Sequence, residues 1–173
     1  MAERDPMAVP EERGTTRMTD PFVIFQIGDQ AFGLPAAVVE EVVRRPERLT
    51  KMPRSPAFVE GLMNHRGRAV PVIDQRTRFG TSPAARGRDR VIVVALGDLR
   101  AGFVVDDVRD VLRMPLEAVT PAPDIADGTK IFDRVAALES GDRIVLLIDP
   151  AELLDEAERQ MLVALRKRTS ARS

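Results

Sequence analysis

Cysteine, tryptophan and tyrosine are all missing from this chain, and histidine occurs once. Without cysteine there is no disulfide, no thiolate metal site and no cysteine nucleophile. Aromatic residues make up 4% of the chain, all of them phenylalanine, which argues against a stacking platform for single-stranded nucleic acid and against an aromatic sugar cleft. An excess of one charge is missing too: 26 Lys and Arg stand against 27 Asp and Glu. No whole-molecule field therefore draws in DNA or an anionic membrane. No apolar run approaches the roughly 20 residues of a membrane span, and the N-terminus lacks the apolar core of a signal peptide. Neither phosphate-cradling glycine motif occurs, nor a G-x-S-x-G nucleophile turn. The lone His65 has Asp74 as the next acid along the chain, at the far end of the same predicted hairpin, which makes neither a metal site nor a triad. The expectation is a cytoplasmic protein that is not an enzyme, with no catalytic residue, no metal and no cofactor.

What is present is a chain of 173 residues, 44% hydrophobic, the size of one domain or of two small subdomains sharing a core. Residues 1–20 are rich in charge, Pro, Gly and Thr and read as a disordered tail, with order beginning at Phe22. Apolar runs broken by turn signals predict strands at 22–27, 30–34, 38–44, 68–74, 90–96, 102–105, 108–114, 135–138 and 143–149. Residues 81–89 form a Pro/Gly connector, and 115–128 a loop with at most a turn of helix. From Pro150 the period becomes helical. An amphipathic helix is expected over 151–168, with Leu154, Ala157, Met161, Ala164 and Leu165 on one face and a tail at 169–173.

The chain also repeats itself. Shifted by 69 positions, residues 22–44 lie on 91–113 without a gap: Gly28 meets Gly97, Gly33 meets Gly102, Val39 meets Val108, Glu41 meets Asp110 and Val42 meets Val111. At an offset of 75, Arg68–Asp74 lies on Arg143–Asp149. The pattern predicts a duplicated all-β unit with about five strands per copy, two small barrels on a shared apolar layer, and a helix on one flank.

One stretch stands apart from this repeat. In Gly61–Gly80, the residues Asn64-His65-Arg66-Gly67 have the composition of a tight turn before the strand Ala69–Asp74. Arg66 at that tip has a planar fork suited to carboxylates, and it reads equally well as an internal ion pair with Glu41. The other arginines, Arg76, Arg78, Arg86, Arg88 and Arg90 around the connector and 166–172 at the end, read as solvated or as contacts for an acidic partner. A nucleic-acid-binding regulator built on them is the alternative function.

GLMNHRGRAVPVIDQRTRFG closely resembles the signature of CheW-like domains. The likeness runs over about residues 20–155, because FVIFQIGDQAFGLP, VVEEVVR, MPRSPAFVEGLMNHRG and GFVVDDVRDVL follow in family order. It implies a CheW-like domain at 21–155 made of two five-stranded SH3-like β-barrel subdomains, approximately 21–80 and 88–150. It further implies a non-enzymatic scaffold of bacterial chemotaxis. Such a scaffold couples the cytoplasmic tip of methyl-accepting chemoreceptors to the regulatory domain of a CheA-type histidine kinase, and is recruited to membrane-associated receptor arrays. By motif match, Val39, Glu41, Gly61, Asn64 and Arg66 are the implied receptor-coupling residues. His65 and Gln75 stand where the family commonly has leucine, both next to the implied interface.

Overall fold

The computed structural model describes residues 17–78, 89–123 and 132–171. The first repeat supplies β1 (Phe22–Ile27), β2 (Gln30–Pro35), β3 (Val39–Arg44), β4 (Val59–His65) and β5 (Arg68–Asp74). The second supplies β6 (Arg90–Leu96), β7 (Leu99–Val105), β8 (Asp107–Leu112), β9 (Val119–Pro121), β10 (Phe132–Leu138) and β11 (Arg143–Ile148). Two sheets result, ordered β8-β1-β2-β11-β10-β9 and β3-β6-β7-β5-β4. The chain is all-β with a C-terminal helix, as its pattern predicts.

The hydrogen bonding does not follow the bounds 21–80 and 88–150. Each sheet takes strands from both repeats: the β1–β2 hairpin joins the sheet of the second repeat, and β6–β7 joins that of the first. The exchange is reciprocal and in register. Leu147 lies opposite Gly33 in one parallel pairing and Val72 opposite Gly102 in the other, which are equivalent positions of the duplication. Both glycines admit a close approach: a Cβ at Gly33 would meet Leu147 Cδ2 at 3.0 Å, and one at Gly102 would meet Val91 Cγ1 at 2.6 Å. Two copies with one apolar pattern offer a hairpin equivalent partner strands, so the pattern does not say which copy supplies them.

Among the described residues, three apolar clusters fill the fold. Met63, Val70, Val72, Val91, Val93 and Val104 pack within the five-stranded sheet, and Phe22, Ile24, Met114, Ala136, Val145 and Leu147 within the other. A larger shared cluster includes Phe25, Phe32, Ile73, Ile92, Val94, Phe103 and Ile148 together with helix leucines. Successive residues Val91 to Val94 thus bury both faces of β6, which is why that strand reads as an unbroken apolar run.

Order begins earlier than Phe22. Leu116 N donates to Arg17 O at 2.8 Å, Thr19 N donates to Met114 O at 2.8 Å, and Met114 N donates to Thr19 Oγ1 at 3.0 Å. These are mostly main-chain bonds, to which a composition argument is blind; residues 1–16 lie outside the described residues. The loop expected at 115–128 holds a 3-10 turn, Leu116–Ala118, and then β9.

The C-terminal helix spans Glu156–Ala171, later at both ends than 151–168. Its start is a capping box: Glu158 N donates to Asp155 Oδ1 at 2.7 Å, and Asp155 N donates to Glu158 Oε1 at 3.0 Å. The later start leaves Leu154 outside the helix, and the buried face is the one that carries Leu162 and Leu165, with Ala157, Met161 and Ala164 exposed. Leu153 and Leu154 are buried from the segment before the helix. Asp155→Ala removes the cap and is expected to cost about 1 kcal/mol in chemical denaturation.

Candidate functional site

The β4–β5 hairpin closes through Arg66 and Gly67, since Asn64 pairs with Ala69 and His65 with Arg68. Their φ values, 55° and 81°, are those of a two-residue I′ turn, whose twist matches that of the flanking strands. Arginine in the left-handed region is disfavoured by about 1–2 kcal/mol. Asn64 compensates locally, because Gly67 N donates to its Oδ1 at 2.9 Å. The turn thereby holds a guanidinium whose side chain is 71% exposed.

Facing this turn is the start of β3, which lies at the opposite end of the five-stranded sheet order. A bulge in the β3–β6 pairing sets Val39 opposite Val94 and Glu41 opposite Val93, leaving Glu40 as the extra residue. Successive strand residues ordinarily point to opposite faces, and a bulge relaxes that rule. Here Glu40 and Glu41 reach the same neighbours. Arg66 Nη2 is 3.3 Å from Glu41 Oε1, and His65 Nδ1 is 3.5 Å from that same oxygen. His65 Nε2 is 3.8 Å from Glu40 Oε1, and Arg100 Nε donates to Glu40 Oε2 at 2.8 Å. The same bulge recurs at the equivalent place in the second repeat, between Val108 and Asp110, where Arg109 stands instead of an acid.

Of the five residues implied by resemblance, the structure brings Glu41, Asn64 and Arg66 together at the tip. The ion pair of Arg66 with Glu41 and the exposure of its guanidinium coexist. Val39 is half-buried against the shared core. Gly61 lies lower on β4 and serves close packing: a Cβ there would sit 2.6 Å from Leu49 Cβ and 3.0 Å from Thr50 O. That contact accompanies the bridge in which Leu62 N donates to Thr50 O at 2.7 Å and Thr50 N donates to Leu62 O at 2.9 Å, returning the segment after β3 to β4. Gly61→Ala forces the two segments apart and is expected to cost about 1–3 kcal/mol, read by thermal or urea unfolding.

Beside the hairpin is a groove of about 1000 Å³ between residues 50–53, the β6–β7 turn and the C-terminal helix, with Lys51, Arg68, Arg100 and Arg166 among its lining residues.

Arg76 does not belong with the solvated arginines. It is 1% exposed and forms the hub of a buried ionic cluster. Its Nε and Nη2 donate to the two oxygens of Asp74 at 3.0 and 2.9 Å, and Nη1 donates to Asp89 at 3.0 Å and Asp106 at 3.3 Å. Gly28 N donates to the other Asp106 oxygen at 2.7 Å, so the cluster ties β5 to the β1–β2 turn and to the open end of the β6–β7 hairpin, where Asp89 precedes β6 and Asp106 follows β7. Burial pushes the Asp74 carboxyl up, but the hydrogen bonds and charge of Arg76, with Arg45 beyond, outweigh it and hold it below the usual carboxylate range. Those same bonds from Asp74 raise Arg76, against its burial. The available sequence signal was spacing: Asp74-Gln75-Arg76 follows a strand that ends both repeats in Asp, and Asp149 likewise accepts from the amide two residues on. Gln75 is buried at this end of β5, away from the tip. Among the remaining connector arginines, Arg86 and Arg88 lie outside the described residues.

Two interlocked sheets from one duplicated unit, with an exposed arginine strung between the end strands of one of them, define a pseudo-symmetric all-β domain. The profile of the CheW-like domain family matches residues 21–158. This chain belongs to the CheW-like family. It is 33% identical over 144 residues to the chemotaxis protein CheW of Klebsiella aerogenes, covering 82% of this chain and 85% of the relative. It is 35% identical to the chemotaxis protein CheW of Rhizobium meliloti, covering 80% and 89%. The crystal structure of the scaffolding protein TtCheW from Thermoanaerobacter tengcongensis superposes with a TM-score of 0.66 at 30% identity, covering 76% of this chain and 90% of that one. Among the described residues, no helix is long and apolar enough to cross a membrane.

Proposed function

We propose that this chain is a non-enzymatic coupling adaptor of chemosensory signalling. It bridges the cytoplasmic tip of methyl-accepting chemoreceptors and the regulatory domain of a CheA-type histidine kinase, and it works in the cytoplasm at receptor arrays by binding alone. Membership in the CheW-like family and the scaffolding and chemotaxis names of its relatives support this reading. The observation that carries it is Arg66: a cation fixed at a strained turn, largely exposed, and held by one carboxylate that a partner's acid can replace. In this reading Glu41 and Asn64 set the arginine's position, Gly61 keeps β4 against the segment after β3, and Val39 supplies the apolar border.

The test is a calorimetric titration of the full chain with a receptor cytoplasmic fragment and, separately, with the kinase regulatory domain. Saturable binding to both is expected. Titration with duplex DNA across a salt series is the control, since binding carried by phosphates falls steeply with salt. Salt-sensitive DNA binding together with no affinity for either protein would overturn the adaptor reading.

A further inference from the structure

We propose that His65 is the positioning residue that decides how much of Arg66 is available to an acidic partner. This rests on Arg66 being the partner-binding cation and adds what controls it. His65 is 6% exposed at its side chain, and both ring nitrogens face carboxylates, Glu41 on one side and Glu40 on the other. A neutral imidazole has one N–H and so cannot donate to both. Its buried Nε2 has no hydrogen-bond partner, with Glu40 Oε1 3.8 Å away. An imidazolium has two N–H groups and satisfies both acids at once.

Competition for a single atom gives the arrangement its effect. Glu41 Oε1 is shared between His65 Nδ1 and Arg66 Nη2, at 3.5 and 3.3 Å. Protonation of the imidazole draws that oxygen toward the buried ring and loosens its hold on the exposed guanidinium. The other charged groups here act in known directions. Arg100 is already committed to Glu40 Oε2, which leaves Oε1 of Glu40 for the ring. Arg68, opposite His65 in the hairpin register, adds positive charge on the exposed side. An added charge on His65 and a freed Arg66 both favour an acidic partner, so binding tightens as pH falls. Leucine or glutamine at position 65 removes the competition and fixes Arg66 on Glu41.

The experiment uses the full chain. His65 is the one histidine in the sequence, so its imidazole gives a single resolvable set of NMR signals. With pH lowered from about 8 to about 5, the Arg66 Nε–Hε signal is expected to move together with the imidazole signals, and to stay flat in His65→Leu and His65→Gln. A flat Arg66 signal across that range in the unmodified chain overturns the proposal. No partner is needed for that measurement. In a second arm, affinity for a receptor cytoplasmic fragment is expected to rise about fivefold from the alkaline to the acid end of the range, and to lose that dependence in both variants. A profile that is flat, reversed, or unchanged by the variants overturns the role. If Arg66→Glu leaves the fragment's affinity unchanged, it is the coupling reading that fails, and the NMR arm alone decides the role of His65.

Discussion

Arg76→Met is expected to lower the unfolding free energy by about 3–5 kcal/mol at neutral pH. The substitution keeps the bulk of the side chain and removes its charge. Asp74, Asp89 and Asp106 are left buried together, with Arg45 3.3 Å from Asp89. For a domain whose whole stability is about 5–15 kcal/mol, this is a large share. It acts at the point where β5 meets the β1–β2 turn and the open end of the β6–β7 hairpin. Arg76→Lys should recover only part of the loss, because an ammonium cannot hold both Asp74 oxygens as the fork does. Urea unfolding of the three proteins measures the order directly.

The same cluster sets the acid response. Asp74 ionises more readily in the folded chain than in the unfolded one, because Arg76 outweighs its burial. Its contribution is therefore full above the unfolded carboxylate value of about 3.9 and is lost as pH falls through the lower folded value. In Arg76→Met burial acts unopposed by that guanidinium, and the carboxyl shifts the other way. The gap in stability between the two proteins should be widest near neutral pH and close below about pH 4. An equal gap at both pH values would mean that lost packing, not buried charge, sets the cost.

Arg66→Glu carries the largest functional effect. It leaves the turn exposed and the strands paired, and it sets a third acid beside Glu41 and Glu40 where a cation had been. Stability should change little, because exposed pairs contribute about 0–1 kcal/mol. Coupling should be lost, because the partner's acid now meets repulsion. A structural role and a recognition role thus separate at this position: the former predicts a shifted denaturation midpoint, the latter a normal midpoint with failed assembly.

Much of this was legible in the chain, for identifiable reasons. The Asn64–Gly67 turn was visible because glycine and asparagine punctuate apolar strands, while the ion pair of Arg66 with Glu41 was one of two equal readings, since opposite charge alone does not say which segments meet. The duplication was visible because Gly33 and Gly102 are both set by close packing, of Leu147 from the parallel strand at the first and of Val91 from the neighbouring antiparallel strand at the second. The exchange of hairpins was not legible, since β1–β2 and β6–β7 carry the same pattern and either repeat satisfies it. Arg76 was misread because a basic residue beside a Pro/Gly connector ordinarily faces water; only the fold brings Asp89 and Asp106 to it. The helix face was misassigned because Pro150 looks like a start, which draws Leu154 into the helix and anchors the face on it, whereas the capping pair Asp155 and Glu158 begins the helix after that leucine. Gly61 was placed by resemblance alone, and its physical basis, the approach of Leu49 and Thr50, is a tertiary contact that no local pattern announces.

The measurement closest to the central claim is kinase output in arrays reconstituted from receptor fragments, a CheA-type kinase and this chain, with Arg66→Glu in parallel. The account predicts that adding the native chain changes receptor-controlled kinase activity, and that a folded Arg66→Glu protein does not. Equal kinase output with the two proteins would contradict it.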